Sequence, residues 1–558
     1  MGRRRAAGTV KRLAENLKGL LRWIVRWLPE ALLLILLVGL APAVLFFAQA
    51  VAETAGKVWS DSGALFGSRA GKVNALAWTV CVLGGLGLTW LILSRLQCIW
   101  AVARKMIVEA MHRKVALVIL VFFVVLMPSL PFILKTEGNP KSQVQIVVTY
   151  ALALSQVLLS LLAVLLCTAS VCGEIDNKQI QVLDSKPMPR WHYLVGKLLG
   201  VMVLCSALLF LMAGSVYGLV LVLSRDRDFS HLAPWEARQA QLDLAKVRQE
   251  VLVTRRSVYP VIPDYSAAVE EDVRKGREEG TITTPLQMLR RRLELHKQLR
   301  NQFMSAGPMR APSVWRFEGL KPDPSLPLTL RFKPRRFNYQ APGSFPGQWF
   351  LCREVEGGQE AGQEGPSITG EPLSGVRTYV VDRAQEIALP GALVNEGGVA
   401  YVGFANAATE YVYYFDPDGG LELLQRTEGF LPNYYRSLLV ILSHILLLAC
   451  ISTMAAAALS FPVASLTVGG IFIAGMISPW VASISSEPGI FPALIRALCY
   501  VLPQFARFGP IGDLVNGRAV GWGYVGQAIA VLGFGWGGIS MLLAAYIYHK
   551  RELARVIL

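Results

Sequence analysis

Residues 174–200 read EIDNKQIQVLDSKPMPRWHYLVGKLLG. This polar run separates two long apolar stretches, about 144–171 and 194–223, and packs acidic, basic, Pro and aromatic residues into too little chain for a domain. A plain connector has no need of Lys186-Pro187, then Arg190-Trp191, then Gly196-Lys197 at the re-entry into the next apolar run. Flanked by stretches long enough to cross a ~30 Å hydrocarbon core, it reads as a device that touches something at one face of a membrane.

Working outward, eight apolar runs emerge, at about 31–50, 75–93, 115–134, 144–171, 194–223, 438–459, 463–484 and 524–548. Only Phe461-Pro462 marks the boundary between the sixth and seventh. The chain of 558 residues is 53% hydrophobic and 17% charged, against about 25% charged in soluble domains, with a mean hydropathy of +0.43. The first run follows 29 residues and has no Ala-x-Ala exit, so it reads as an anchor rather than a signal peptide.

The formal charge of +16 is placed for a membrane rather than for nucleic acid. Basic clusters abut the spans at Arg3–Arg26, Arg104-Lys105, Arg113-Lys114 and Lys550-Arg551 with Arg555. With eight spans they fall on one side, together with Lys178, Lys186, Arg190 and Lys197, which predicts both termini in the cytoplasm of a multi-pass plasma (inner) membrane protein. Cys352 is the sole cysteine of the large polar region, so that region has no internal disulfide.

The expected organisation is a basic tail (1–29), two extra spans (30–97), a first membrane half (98–223), an extracytoplasmic α+β domain (224–433) and a second membrane half (434–558). Cys98–Lys114 has helical apolar spacing with Arg104, Lys105 and Glu109 between. It reads as a helix in the inner interface, or else as a cytoplasmic extension of the third span. In the large insertion, 235–305 is helical in pattern, with Pro285 as a first-turn residue. Residues 313–428 hold short β-rich runs between Gly/Pro/Asp turns, the pattern of a β-sandwich. Phe430, Tyr434 and Tyr435 suit an aromatic belt at the return to the bilayer.

Catalytic signals are weak. No Walker A motif occurs, so this chain has no P-loop of its own. Gly533-x-Gly535-x-x-Gly538 lies inside an apolar span, where close helix packing explains it better than a dinucleotide. His444 within the sixth run reads as a hydrogen-bonded span residue before it reads as a site. Asp416, Asp418 and Gly419 fit a strand turn better than a calcium loop. Trp315, Trp349, Tyr411, Tyr413 and Tyr414 fit a core better than a ligand platform.

Glu174, Leu183, Lys186-Pro187, Arg190 and Gly196-Lys197 resemble the cytoplasmic signature of ABC-2 type transporter permeases, in particular the gliding-motility and copper-enzyme-maturation subgroup. IVEAMHRKVALVIL (107–120), and YVLPQFARFGPIGDLVNG with the terminal YHKRELARV, resemble the family's entry into its first span and its last loop and span. Lys178-Gln179 stands where the family has Gly-Thr.

The resemblance implies a polytopic helical permease: a six-helix unit plus two N-terminal helices, with the α+β domain inserted. It implies a dimer of permeases working as an exporter with separate ABC ATPase subunits that carry ATP and Mg, and no cofactor on this chain. Glu174, Lys178, Gln179, Leu183, Lys186, Pro187, Arg190, Gly196 and Lys197 would form the ATPase-coupling segment, 174–190. Glu174 would lie near a helix N-terminus, Pro187 would end that helix, and Arg190 and Lys197 would snorkel to the inner surface. Partners would be the ATPase, a second permease, membrane lipids and an extracytoplasmic ligand or protein, with no nucleic acid. The rival functions are mechanotransmission to an outer partner without transport, and a membrane-anchored ligand-binding module.

Overall fold

The computed structural model describes residues 97–112, isolated positions in 113–139, then 140–177, 190–224, 238, 241, 252–355 (less 283, 309–311 and 326), 367–484 (less 418), 495, 499, 502–503 and 505–550. The first two apolar runs and most of the third lie outside these residues. The chain divides into two compact units: unit 1 gathers the segments 1–251, 431–516 and 520–558, and unit 2 gathers Leu252–Phe430 with Gly517–Ala519.

Unit 1 is helical. A helix over 97–112 (α1) precedes α2 (Pro140–Asp176), α3 (Arg190–Leu223), α6 (Phe430–Ala458), α7 (Phe461–Ile484), α8 (Pro510–Val515) and α9 (Trp522–Lys550). Among the described residues, five helices are long and apolar enough to cross a membrane: α2, α3, α6, α7 and α9. They fall on the fourth to eighth apolar runs, and the break between α6 and α7 comes at Leu459-Ser460, just before Phe461-Pro462. α2 buries Val148, Leu152, Ser155, Leu159, Leu162 and Leu166 at helical spacing, while Tyr150, Val157 and Leu161 face outward.

α6 is the central helix. The most apolar window of α6 is 83% buried, against 22% for α7 and 28% for α9. Tyr434 is buried and donates to Ala213 O at 2.9 Å, so this residue anchors α6 on α3 rather than joining an interfacial belt. The His444 ring nitrogens lie 2.9 Å from Val440 O and 3.0 Å from Phe505 O, and the ring stacks on Phe505, which is a packing role. A Cβ on Gly533 or Gly537 would approach Leu446 and Cys450 of α6, at 3.3 and 3.4 Å, so these glycines serve helix contact.

Unit 2 holds twelve strands among its described residues, paired antiparallel in three sheets: β1-β12-β4-β9, β3-β10-β6-β7 with β8 also on β6, and β2-β11-β5. In chain order β1 is Val253–Val258, followed by helices α4 (Ser266–Glu278) and α5 (Pro285–Phe303). Then come β2 Ser305–Ala306, β3 Ser313–Glu318, β4 Leu328–Phe332, β5 Pro334–Arg336, β6 Ser344–Val355, β7 Ser367–Pro372, β8 Arg377–Val380, β9 Gln385–Leu389, β10 Val399–Asn406, β11 Tyr413–Phe415 and β12 Leu421–Gly429. All three sheets contribute to one core, in which Trp315, Phe332, Trp349, Phe404, Tyr413 and Phe415 are essentially unexposed. Of the five aromatic residues read as core, Trp315, Trp349 and Tyr413 are buried in it, Tyr411 packs against it half-buried, and Tyr414 is half-buried outside it.

β10 occupies the run VAYVGFAN, with Ala400, Val402 and Phe404 alternating into the core. Gly398 before it has φ +73 and would press a Cβ to 2.5 Å from Leu320 O, so only glycine fits that turn. α5 starts with a capping box: Thr284 Oγ1 accepts from Gln287 N, Gln287 Oε1 accepts from Thr284 N, and Pro285 opens the first turn. β1 corrects the expectation that 235–305 is helical throughout. Its two arginines do not favour a strand locally, but Arg255 is buried against Glu386 of β9.

That contact belongs to a buried charge cluster on one sheet. Arg331 of β4 stands in register with Glu422 of β12 on one side and Glu386 of β9 on the other. Its guanidinium reaches Glu386 Oε1 at 2.6 Å and Glu422 Oε1 at 3.4 Å. Gly517–Ala519 returns to this unit: Arg255 N donates to Gly517 O at 2.7 Å, Ala519 N donates to Arg255 O at 2.9 Å, and Arg518 Nη2 lies 2.7 Å from Glu422 Oε1.

Candidate functional site

The polar run that opens the sequence reading is flanked by the C-terminal end of α2 and the N-terminal end of α3. α1 packs there because its apolar residues form a stripe: Ile99, Ala103, Met106, Ile107 and Ala110 are buried, while Arg104 and Lys105 are exposed. The stripe faces α3 at Gly196 and Gly200. A Cβ on Gly196 would lie 2.8 Å from the Val102 Cβ and 2.9 Å from Ile99 O, and one on Gly200 would lie 2.7 Å from Ala103 O. Glycines four residues apart therefore let two helix backbones approach. Residues 97–112 are helical, as both readings of Cys98–Lys114 require, and part of the apolar face is covered by protein.

Three charged side chains meet at this contact. Glu174 lies in the last turn of α2 and is buried. Lys197, in the second turn of α3, is buried as well; its Nζ lies 3.1 Å from Glu174 Oε2 and donates to Ser170 O at 2.7 Å. The approach to Oε2 is an ion contact whose angle is not that of a hydrogen bond. Lys105 of α1, 65% exposed, donates to Glu174 Oε1 at 3.4 Å. Lys197 also lies 5.1 Å from the centroid of the Tyr193 ring.

The placement corrects two expectations. Glu174 sits at a helix C-terminus, where the macrodipole disfavours an anion, and Lys197, in the second turn of α3, brings the opposite charge to it. Each offsets the other, and Lys105 adds a second cation. Lys197 does not snorkel to an interface, because Ser170 O and Glu174 hold it inside. Charges this well buried are stable only when paired and hydrogen-bonded.

Arg190 is the first residue of α3. Its side chain, and Lys178, Gln179, Leu183, Lys186 and Pro187, lie outside the described residues. Of the site residues expected from the sequence, Glu174, Gly196 and Lys197 are thus brought together. Ser170, Tyr193, Lys105 and Gly200 join them. The Gly196-x-x-x-Gly200 spacing was the signal for the helix contact; nothing local marks Ser170. Among the described residues no group of His, Cys, Asp or Glu has the arrangement to hold a metal.

No curated protein and no solved structure matches the chain. Residues 100–230, which hold all of this geometry except Ile99, match the family model described as ABC-2 family transporter protein.

Proposed function

We propose that this chain is the permease subunit of an ABC-2 type exporter, driven by separate ATPase subunits and working as a pair of permeases. The observation that carries the reading is the charge-locked contact of α1, α2 and α3 inside the family-matched stretch. The segment 178–189 leaves α2 two residues after its last turn and enters α3 at Arg190. A push on it therefore acts on two spanning helices whose ends are tied by Glu174 and Lys197, and on α1 through Lys105. The six-helix unit with two further N-terminal spans, cytoplasmic termini, and an extracytoplasmic unit 2 built as a β-sandwich belong to the same proposal. On this reading ATP and Mg act on the partner chain, and this chain is not an enzyme.

Glu174 is buried, so Glu174→Arg would test packing rather than docking. The sharper variant is Leu183→Asp/Lys186→Glu, in the segment itself. Co-expressed with a P-loop ATPase encoded in the neighbouring reading frame, the wild-type chain should co-purify with it and set its ATPase rate. The double variant should insert and melt normally but lose both properties. Retention of both would end the coupling assignment.

The separate β-rich unit with its own core favours mechanotransmission as the second reading. Sealed vesicles distinguish the two. ATP-dependent movement of solute or lipid supports export, whereas ATPase turnover stimulated from the unit 2 side without such movement supports mechanotransmission.

A further inference from the structure

The loop joining β5 to β6 has a surface that the core of unit 2 does not explain. From Lys333 to Ser344 the chain reads KPRRFNYQAPGS, with three cations and no acid. Tyr339 is 94% exposed and Phe337 61%. A tight turn holds them out: Gln340 N donates to Asn338 Oδ1 at 3.1 Å, and Ala341 N to Asn338 O at 3.0 Å. Behind the rings, Phe337 packs edge-on against Tyr414 and the Arg336 guanidinium lies 5.6 Å from the Tyr339 centroid.

Charge is layered behind the aromatic tip. Arg335 Nη2 lies 3.1 Å from Asp416 and Arg336 Nη2 lies 3.9 Å from Asp382. Asp382 has φ +60, uncommon for a residue other than glycine, and its N–H donates to Pro334 O at 2.8 Å. Lys333 and Arg383, neighbours in sequence of these pairs, carry further positive charge. The four cations therefore exceed the two carboxylates.

Exposed rings in front of ammonium and guanidinium groups match a lipid headgroup region, where aromatic rings sit at the interface and Lys/Arg meet phosphate. Tyr and Arg also anchor protein interfaces, but the surplus of positive charge, with no acid in the loop, complements an anionic surface. Leu289 and Leu293 on α5, which are also exposed, lie beside an Arg290–Glu294 ion pair and have the mixed charge of a solvated helix face.

We propose that the β5–β6 loop docks on a lipid surface of anionic phosphodiester headgroups, with Phe337 and Tyr339 entering at headgroup depth and Lys333, Arg335, Arg336 and Arg383 facing phosphate.

The test is hydroxyl-radical footprinting of Phe337 and Tyr339 in the full-length chain. Three samples are compared: phosphatidylcholine nanodiscs, nanodiscs with added phosphatidylglycerol, and phosphatidylcholine nanodiscs mixed with phosphatidylglycerol-containing vesicles. Labelling of both rings should fall about tenfold in the second or the third sample relative to the first. Lys333→Glu/Arg383→Glu, which leaves the two ion-paired arginines in place, should abolish that fall while labelling of β10 stays unchanged. Equal labelling in all three samples overturns the proposal. So does protection that survives the charge reversal, which would point to a protein partner or to neutral lipid.

Discussion

Two buried glutamates, one in each unit, invite comparison. Glu174 and Glu422 are both nearly inaccessible, and each is met by cations from two other segments. Glu422 sits in a sheet interior and is held by Arg331 and Arg518, planar forks that can share one oxygen at fixed angles. Glu174 sits at a helix end and is held by lysines, point charges on flexible stems, one of them largely exposed. The first arrangement suits a charge that must stay where the strands put it. The second suits a contact among helices that can be pulled on without breaking covalent or sheet geometry.

Four outcomes break or sharpen that contrast. The largest effect should come from Glu422→Ala, which removes the fully buried carboxylate that both Arg331 and Arg518 approach and leaves Arg331 with Glu386; losing one partner of a buried pair costs about 3–5 kcal/mol. Hydrogen exchange in the full chain should speed up across β4 and β12 more than across β10, and uniform exchange would show the cluster to be dispensable.

Lys197→Met should cost about 2–3 kcal/mol, less than the buried-pair limit because Lys105 still faces Glu174. The double variant Glu174→Gln/Lys197→Met should melt closer to wild type than the single one, since it leaves no orphan charge. If the two changes simply add, the residues are not coupled.

Gly196→Val places a side chain against Val102 and the Ile99 carbonyl. Overpacking of this kind costs about 1–3 kcal/mol, and protease sensitivity within 97–112 should rise. An unchanged cleavage pattern would argue against the close helix contact.

The smallest effect is a surface one. Arg291 Nε donates to Asp272 Oδ2 at 2.8 Å and holds that carboxyl below its ordinary value. Its contribution is therefore complete above the unfolded carboxylate pKa of about 3.9 and is lost as pH falls through the lower folded value. Acid unfolding of the α4–α5 pair should flatten in Asp272→Asn, and an identical acid profile would remove the pair from the account.

The helices on the fourth to eighth apolar runs were readable from the sequence, because runs of that length and composition need no long-range information. β10 was readable for a similar reason, since its alternation is strictly local. β12 was placed only by its position in the β-rich stretch 313–428, because LELLQR on its own favours a helix and is held as a strand by its partners β1 and β4. At the candidate site, the importance of Glu174, Gly196 and Lys197 was legible, but their physical roles were not. A lysine at the end of an apolar run reads as an interfacial anchor until the fold supplies Ser170 O and Glu174 from another helix.

A domain inserted as a cassette has two joints. Unit 2 has four, at 251/252, 430/431, 516/517 and 519/520, because Gly517–Ala519 returns to it. A fragment cut at 252 and 430 would lack Arg518 and leave the Glu422 pocket one cation short. The β-rich unit is therefore not contained in 252–430 alone, and cutting that stretch out does not release it whole.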